Sequence, residues 1–418
     1  MTKPNADHTV LFLSRYPPEA HGPAWERIRH MASACGAVFG KTVILTLQSG
    51  RSSVKEKAGS RVFLYEAPLL RESPFPINAW FDPIKFIVLT IHGFLLSLRL
   101  KPKFILASMP PSEVGVSAWL IAKLSGKDLV VDLRDDWESA IEQKLSCYVP
   151  TTLLKAVFWF ARKVYSSSAI ILVATQNIGK SIGERGVKTR IMLVPNGADT
   201  AIFVPESGDQ RVKLRIRHDV PQTKLVMLYC GSGINPYYRL DRILVALGSL
   251  PNHIRNRLLL VFYLYNGIEK VLKMKEDLSL PNDLVMVREP VSRPVLAEIM
   301  AACDVGLVPF DEAPYLLCAR SAKLYEYLSA GLFVLATGPR KGELDRLFAS
   351  NPALGKFGLP RLSDFSEMFR WLVENEKQVS NENNRFLRHE FIRKNHERKG
   401  IMIRAMNEVH SLLSVTSK

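Results

Sequence analysis

The feature that most constrains this chain is a rhythm. Short apolar runs rich in β-branched residues alternate with longer amphipathic segments, and the series occurs twice. The first comprises TVLFLS (9–14), TVILTL (42–47), FILAS (104–108), LVVDL (129–133), AIILVA (169–174) and IMLVP (191–195). The second comprises KLVMLYC (224–230), LLLVFYL (258–264), LVMV (284–287), DVGLVPF (304–310) and LFVLAT (332–337). Runs apolar at nearly every position suit strands covered on both faces, and strand–helix alternation predicts parallel sheets flanked by helices. Between the series lies the polar segment PESGDQRVKLRIRHDVPQT (205–223), and after residue 362 only helical patterning remains. A chain of 418 residues exceeds the roughly 250–300 at which one core stops growing. The expected class is therefore α/β, with two doubly wound domains. The N-terminal domain covers 1–205, a linker 206–222 and the C-terminal domain 223–399, with a C-terminal helix at about 400–418.

Composition narrows the partners. With 47% hydrophobic residues and no repeat or low-complexity tract, the chain is expected to be globular. Its formal charge of +16 is spread over both halves and favours anionic partners: phosphorylated substrates, acidic lipid head groups or nucleic acid. A merely basic surface is the alternative. No aromatic-basic platform appears, so nucleic acid is not expected as a partner. The five cysteines (Cys35, Cys147, Cys230, Cys303 and Cys318) lack metal spacing and read as reduced core thiols of a cytosolic protein. The N-terminus reads as a first strand rather than a signal peptide. The apolar stretch 84–98 is interrupted by Lys85 and His92 and is shorter than the roughly 20 residues that span a bilayer.

Four segments can carry chemistry. In ARSAKLYEYLSAG (319–331), Ser321 can cap a helix whose first N–H groups, with Arg320 and Lys323, suit a phosphate. Glu326 lies one turn further in, placed for hydroxyls of the same ligand. The competing reading is a simple Lys323–Glu326 pair at i, i+3. In VVDLRDDWESA (130–140), Asp132, Arg134, Asp135 and Asp136 crowd the end of a buried strand, which suggests a ligand cleft or a helix start collecting acids. No histidine or spaced third carboxylate supports a metal there. Gly22 in SRYPPEAHGPAWERIR lets backbone approach an anion, or serves a plain strand-to-helix turn. YCGSGINPYYRLDRIL, with Gly231, Gly233 and Arg239, offers a second phosphate cradle, and matches no Walker or dinucleotide fingerprint.

Read together, these segments resemble the retaining GT-B glycosyltransferases of the GT4-like family (glycosyltransferase group 1), of the bacterial surface-polysaccharide type. The matching pieces are PPEAHGPAWERIRHMA, SMPPSEVGVSAWLIAKLSGKDLVVDLRDDW, LVPNGADTAIFVP (193–205), LYCGSG, and ACDVGLVPF followed by SAKLYEYLSAGLFVLA. They span nearly the whole chain in the expected order, and VPNGADTAIF and AKLYEYLSAG are the specific ones. The resemblance implies two Rossmann-like domains facing across a cleft, with the C-terminal helix crossing back to the first. It also implies a nucleoside-diphosphate sugar, UDP- or GDP-linked, held chiefly by the second domain.

By the same resemblance, Glu326 corresponds to a ribose-binding glutamate, and Arg320, Ser321, Lys323 and Leu324 to diphosphate contacts. Val287 and Arg288 fall where backbone meets the base, Arg239 where a cation neutralises the leaving diphosphate, and Gly22 and Gly231 at loops that touch the donor. Asp135, with Arg134, is assigned to orienting the sugar hydroxyls. Two departures stand out. Cys318 occupies the position of a second glutamate in many members, and Asp132-Leu-Arg-Asp135 replaces a histidine. The implied chemistry is retaining, needs no metal and uses no cofactor beyond the donor.

The acceptor side is read from residues 80–101 and 151–165, which combine apolar faces with cations. They suggest a saccharide or polyprenyl-linked acceptor met at an anionic membrane surface, with the protein cytoplasmic and peripheral on the inner face. Ordinary core helices under a basic surface are the alternative. Two rival functions share the donor pocket: a sugar-nucleotide epimerase, and a non-catalytic nucleotide-sugar-binding subunit.

Overall fold

The computed structural model describes residues 8–15, 23–49, 53–56, 61–69, 82–145 and 151–415. The chain divides into two units, Met1–Pro195 with Lys399–Lys418, and Asn196–Arg398. Thus the first crossing falls about ten residues before the polar segment. Residues 206–222, expected as a linker, belong to the second unit. They carry a helix, Gly208–Arg217, whose Arg211 and Arg215 clasp the buried Asp304 at 2.5 and 2.6 Å. Polarity suggested a linker because these cations have no local partner; the partner lies some ninety residues away.

In the first unit the strands are β1 (His8–Leu13), β2 (Gly40–Ser49), β3 (Ser53–Glu56), β4 (Val62–Leu69), β5 (Phe104–Met109), β6 (Asp128–Leu133), β7 (Ile170–Val173) and β8 (Arg190–Leu193). They form one sheet in the order β3-β4-β2-β1-β5-β6-β7-β8, parallel except for the antiparallel pair β3–β4. The core strands are buried along nearly their whole length because helices cover both faces. The helix Arg398–Val415 belongs to this core: Ile401, Met402, Met406 and Val409 pack with Val10, Phe12, Ile28 and Phe39. Cys35 sits beside Met406, and all four described cysteines are free thiols.

The helix Pro83–Leu100 begins at Asp82, whose carboxylate accepts from the N–H groups of Ile84 and Lys85. By length and composition it is apolar enough to cross a membrane, which the interrupted 84–98 run did not suggest. One face is nevertheless engaged in the unit: Leu89, Gly93, Leu96 and Ser97 are buried.

In the second unit β9 (Leu225–Ser232), β10 (Leu258–Asn266), β11 (Val285–Arg288), β12 (Val305–Pro309), β13 (Phe333–Thr337) and β14 (Gly355–Gly358) form an all-parallel sheet. Its order is β11-β10-β9-β12-β13-β14. From β9 the chain steps outward to β11, then returns to the other side of β9 and steps outward again. The order therefore reverses between β9 and β12.

Candidate functional site

Where a parallel sheet reverses its strand order, the loops leaving two neighbouring strands diverge and open a crevice at the carboxyl ends. Here those loops are 233–239 after β9 and 310–321 after β12. They are tied together at their base: Arg239 N–H donates to Pro309 O at 2.8 Å and Asp311 N–H to Tyr237 O at 2.8 Å. The rings of Tyr238 and Phe310 stack at 5.1 Å.

The loop after β12 delivers the helix Ala322–Ser329 to this crevice. Ser321 is its N-cap residue, as expected, but its hydroxyl makes no capping bond. Leu324 N–H donates to Ser321 O at 3.2 Å, whereas the N–H groups of Ala322 and Lys323 meet no acceptor among the described residues. Among the described residues, two donors at the positive end of the helix thus stay open.

The side chain of Lys323 is 9% exposed and forms no hydrogen bond or ion pair with a described residue. Its ammonium lies 4.1 Å from the Tyr229 ring centroid and 4.2 Å from that of Tyr238. The ring faces favour the cation while burial disfavours it, and burial pushes its pKa down to about 7. Gly231 makes room: a Cβ there would stand 2.7 Å from Lys323 Nζ, and its φ of +155° suits glycine.

Glu326, 6% exposed, stands one turn further along, where the sequence places a hydroxyl acceptor. The i, i+3 pair with Lys323 does not form. Instead Glu326 Oε1 accepts from Arg293 at 2.9 Å and Arg398 at 3.2 Å, while Oε2 accepts from no described residue. Arg398 also donates twice to Gly197 O, at 3.0 and 2.6 Å. Arg398 thereby ties the VPNGAD tract to the AKLYEYLSAG helix. Asn196 Nδ2 donates to Arg320 O at 3.3 Å, Ser329 Oγ donates to Phe203 O at 2.6 Å, and Arg293 lies 4.8 Å over the Phe203 ring. The first tract braces the helix formed by the second.

Other expected contacts are committed elsewhere. Arg320 pairs with Glu343 at 2.9 Å, so its charge is already compensated rather than free for a diphosphate. Leu324 is fully buried and its N–H is taken by Ser321 O, which removes it from the open helix start. Arg239 binds Asp241 at 2.6 and 3.0 Å and reaches Asp311 at 3.5 Å, so it enters the crevice already paired. Arg288 turns to His218 O at 3.0 Å and the Tyr263 hydroxyl at 3.4 Å. Val287 and Arg288 end β11, the edge strand, which has main-chain groups on one side without a strand partner. Gly22 lies outside the described residues. Cys318 is buried at the end of the 3-10 turn Pro314–Cys318.

Sequence reasoning missed the rings around Lys323 and the two arginines on Glu326. Arg293 and Arg398 lie 33 and 72 residues from Glu326, so no local pattern marks them.

In the first unit the acid cluster at the end of β6 resolves into separate roles. Asp132 is fully buried and held by Arg27 (2.6 Å) and by Ser108 Oγ (3.2 Å). Asp136 caps the helix Trp137–Leu145 through Ser139 N–H, and pairs with Arg185 at 2.6 Å. Arg134 donates to the carbonyls of Met109 and Pro110. Asp135 alone is exposed and bonds to no described residue. Of the four, only Asp135 is available to a ligand.

No protein-family model and no curated protein sequence matches the chain. Solved structures do. Sucrose-phosphate synthase of Thermosynechococcus elongatus is 12% identical with a TM-score of 0.78, covering 98% of this chain and 100% of that one. HepE of Anabaena in complex with UDP-glucose is 14% identical with a TM-score of 0.69, covering 96% and 99%. WaaG, a glycosyltransferase involved in lipopolysaccharide biosynthesis, is 18% identical with a TM-score of 0.65, covering 95% and 98%. The chain has the GT-B fold: two Rossmann-like α/β domains, each with its own mostly parallel sheet.

Proposed function

We propose that this protein is a glycosyltransferase that moves a sugar from a nucleoside-diphosphate sugar to a saccharide or polyprenyl-linked acceptor. The observation that carries the reading is the start of the helix Ala322–Ser329, where, among the described residues, a buried Lys323 without an ion partner lies beside two open N–H groups, followed by Glu326 with one free oxygen. A diphosphate next to a ribose diol has that layout. The structures it resembles include one whose complex holds UDP-glucose, which supports a nucleotide sugar as donor.

Anomeric substitution builds positive charge on the sugar and negative charge on the leaving phosphate. Lys323 and the open amides of Ala322 and Lys323 supply stabilisation there without reorganising. The helix start supplies positive charge of its own, and the sequence resemblance implies a metal-independent reaction. The sequence resemblance supports retention. Asp135 is assigned to orienting sugar hydroxyls, with the preceding Arg134 anchored to Met109 O through its own N–H and guanidinium. A lipid-linked acceptor fits a cytoplasmic protein peripheral on the membrane.

Calorimetric titration with UDP, GDP and their sugars tests the donor site, followed by product analysis with candidate acceptors. One nucleoside diphosphate should bind, and Glu326→Ala should abolish both binding and transfer. Sugar conversion with donor alone would instead identify an epimerase, and binding with no turnover a non-catalytic subunit.

A further inference from the structure

We infer that the helices Pro83–Leu100, Ser112–Ser125 and Thr151–Ser166 form a docking face for an anionic phospholipid bilayer. The inference rests on the transfer reading only in that a lipid-linked acceptor is met at such a surface; the face is argued from its own residues. The three helices are neighbours. Thr90 Oγ1 donates to Ser117 Oγ at 3.0 Å, and Trp119 Nε1 to Ser167 Oγ at 3.2 Å. Gly93 marks the inward side of Pro83–Leu100, since a Cβ there would stand 2.4 Å from Ile121 Cδ1.

On the opposite side Ile87, Ile91, Leu95 and Leu98 are 52–58% exposed. Their spacing places them on one stripe, roughly 17 Å long at 1.5 Å per residue. Leu124, Trp159 and Phe160 add large exposed apolar side chains on the neighbouring helices. A series of this kind on one face marks an interaction surface rather than scattered exposure.

Charge selects the occupant. Arg99, Lys123, Lys155, Arg162 and Lys163 are exposed on these helices, and Lys163 lies 5.3 Å over the Trp159 ring. The only carboxylate in the three helices is Glu113, fully buried and paired with Arg15 at 3.1 Å. A second copy of this chain would bring the same uncompensated cations against themselves. An anionic bilayer offers apolar depth for the stripe and negative charge for its rim. With Leu89 and Leu96 engaged in the unit, the helix lies along the bilayer rather than across it.

The test is flotation of the full chain with phosphatidylglycerol–phosphatidylcholine vesicles and with phosphatidylcholine alone. The protein should float with the anionic vesicles only, and less at high salt. Ile91→Glu/Leu95→Glu and, separately, Arg162→Glu/Lys163→Glu should each lower recovery about tenfold, with UDP affinity and unfolding temperature unchanged. Equal recovery on neutral vesicles, or undiminished recovery of either variant, overturns the inference. So does a wild-type dimer in sedimentation that Ile91→Glu/Leu95→Glu turns into monomer. If the wild type floats yet binds no nucleotide, the transfer reading falls and the docking face stands.

Discussion

Replacing Glu326 with glutamine probes the donor site at its centre. Oε1 already receives Arg293 and Arg398, so a ribose diol must bond to Oε2. A hydrogen bond to a charged group contributes about 1.5–3 kcal/mol, and at 6% exposure solvent screens little of it. Because 1.4 kcal/mol is a factor of ten, Glu326→Gln should weaken UDP binding by about 10–100-fold. Part of that loss can come from disturbing Arg398, which is 3% exposed and loses its ion partner. A double-mutant cycle separates the two: UDP and 2′,3′-dideoxy-UDP are titrated calorimetrically into wild type and Glu326→Gln. If Glu326 holds the diol, removing the hydroxyls weakens binding to wild type and hardly affects the variant, a coupling of about 1.5 kcal/mol or more. Equal losses for both nucleotides, a coupling within about 0.5 kcal/mol of zero, would refute the ribose assignment and leave Glu326 as an anchor for two arginines.

Lys323 has its pKa lowered from 10.5 to about 7 in the folded protein, so the unfolded chain binds more protons between those values. Stability should therefore rise with pH across that window as the buried ammonium is discharged, and this residue should add no pH slope below it, where both states carry the proton. Denaturant titrations at several pH values should show the slope, and Lys323→Met should flatten it. A diphosphate favours the ammonium, so binding should take up protons and weaken as pH rises above about 7, read by calorimetry in buffers of different ionisation enthalpy. Gly197→Ala places a Cβ 2.2 Å from His396 O, a backbone atom, and should lower stability by about 2–4 kcal/mol in thermal unfolding. Asp132→Ala leaves Arg27, 3% exposed, without its carboxylate, and should cost about 3–5 kcal/mol by the same measurement. Exposed Asp135→Asn should leave unfolding unchanged and lower turnover without changing nucleotide affinity.

Most strands were legible as apolar runs. The edge strand β14, GKFG, was not, because two of its four residues are glycines and its extended form comes from pairing with Val334–Thr337. Gly355 is required there: a Cβ would stand 2.1 Å from Val334 O. The first crossing between units was placed late because Asn196–Pro205 is polar at its start and apolar at its end, while its partners are distant. Ala198 pairs with Glu397, and Phe203 is buried beneath the helix Ala322–Ser329.

The site divides in the same way. Local order determined what lies one turn apart on a single helix: the N-cap position of Ser321, Lys323 near the start and Glu326 beyond it. Periodicity along the chain likewise determined two series of buried strands, and hence two sheets. Tertiary structure decided which charges remain available. Arg320 is bound by Glu343, Arg239 by Asp241 and Asp311, and Asp132 by Arg27, whereas among the described residues Lys323, Glu326 Oε2 and Asp135 are left open. The physical reason is that a buried charge must find a counter-charge or lose its solvation, and the chain supplies most of those counter-charges from far away in sequence. A motif announces which charged residues gather at a strand's end; only the folded arrangement determines which of them stay free for a ligand.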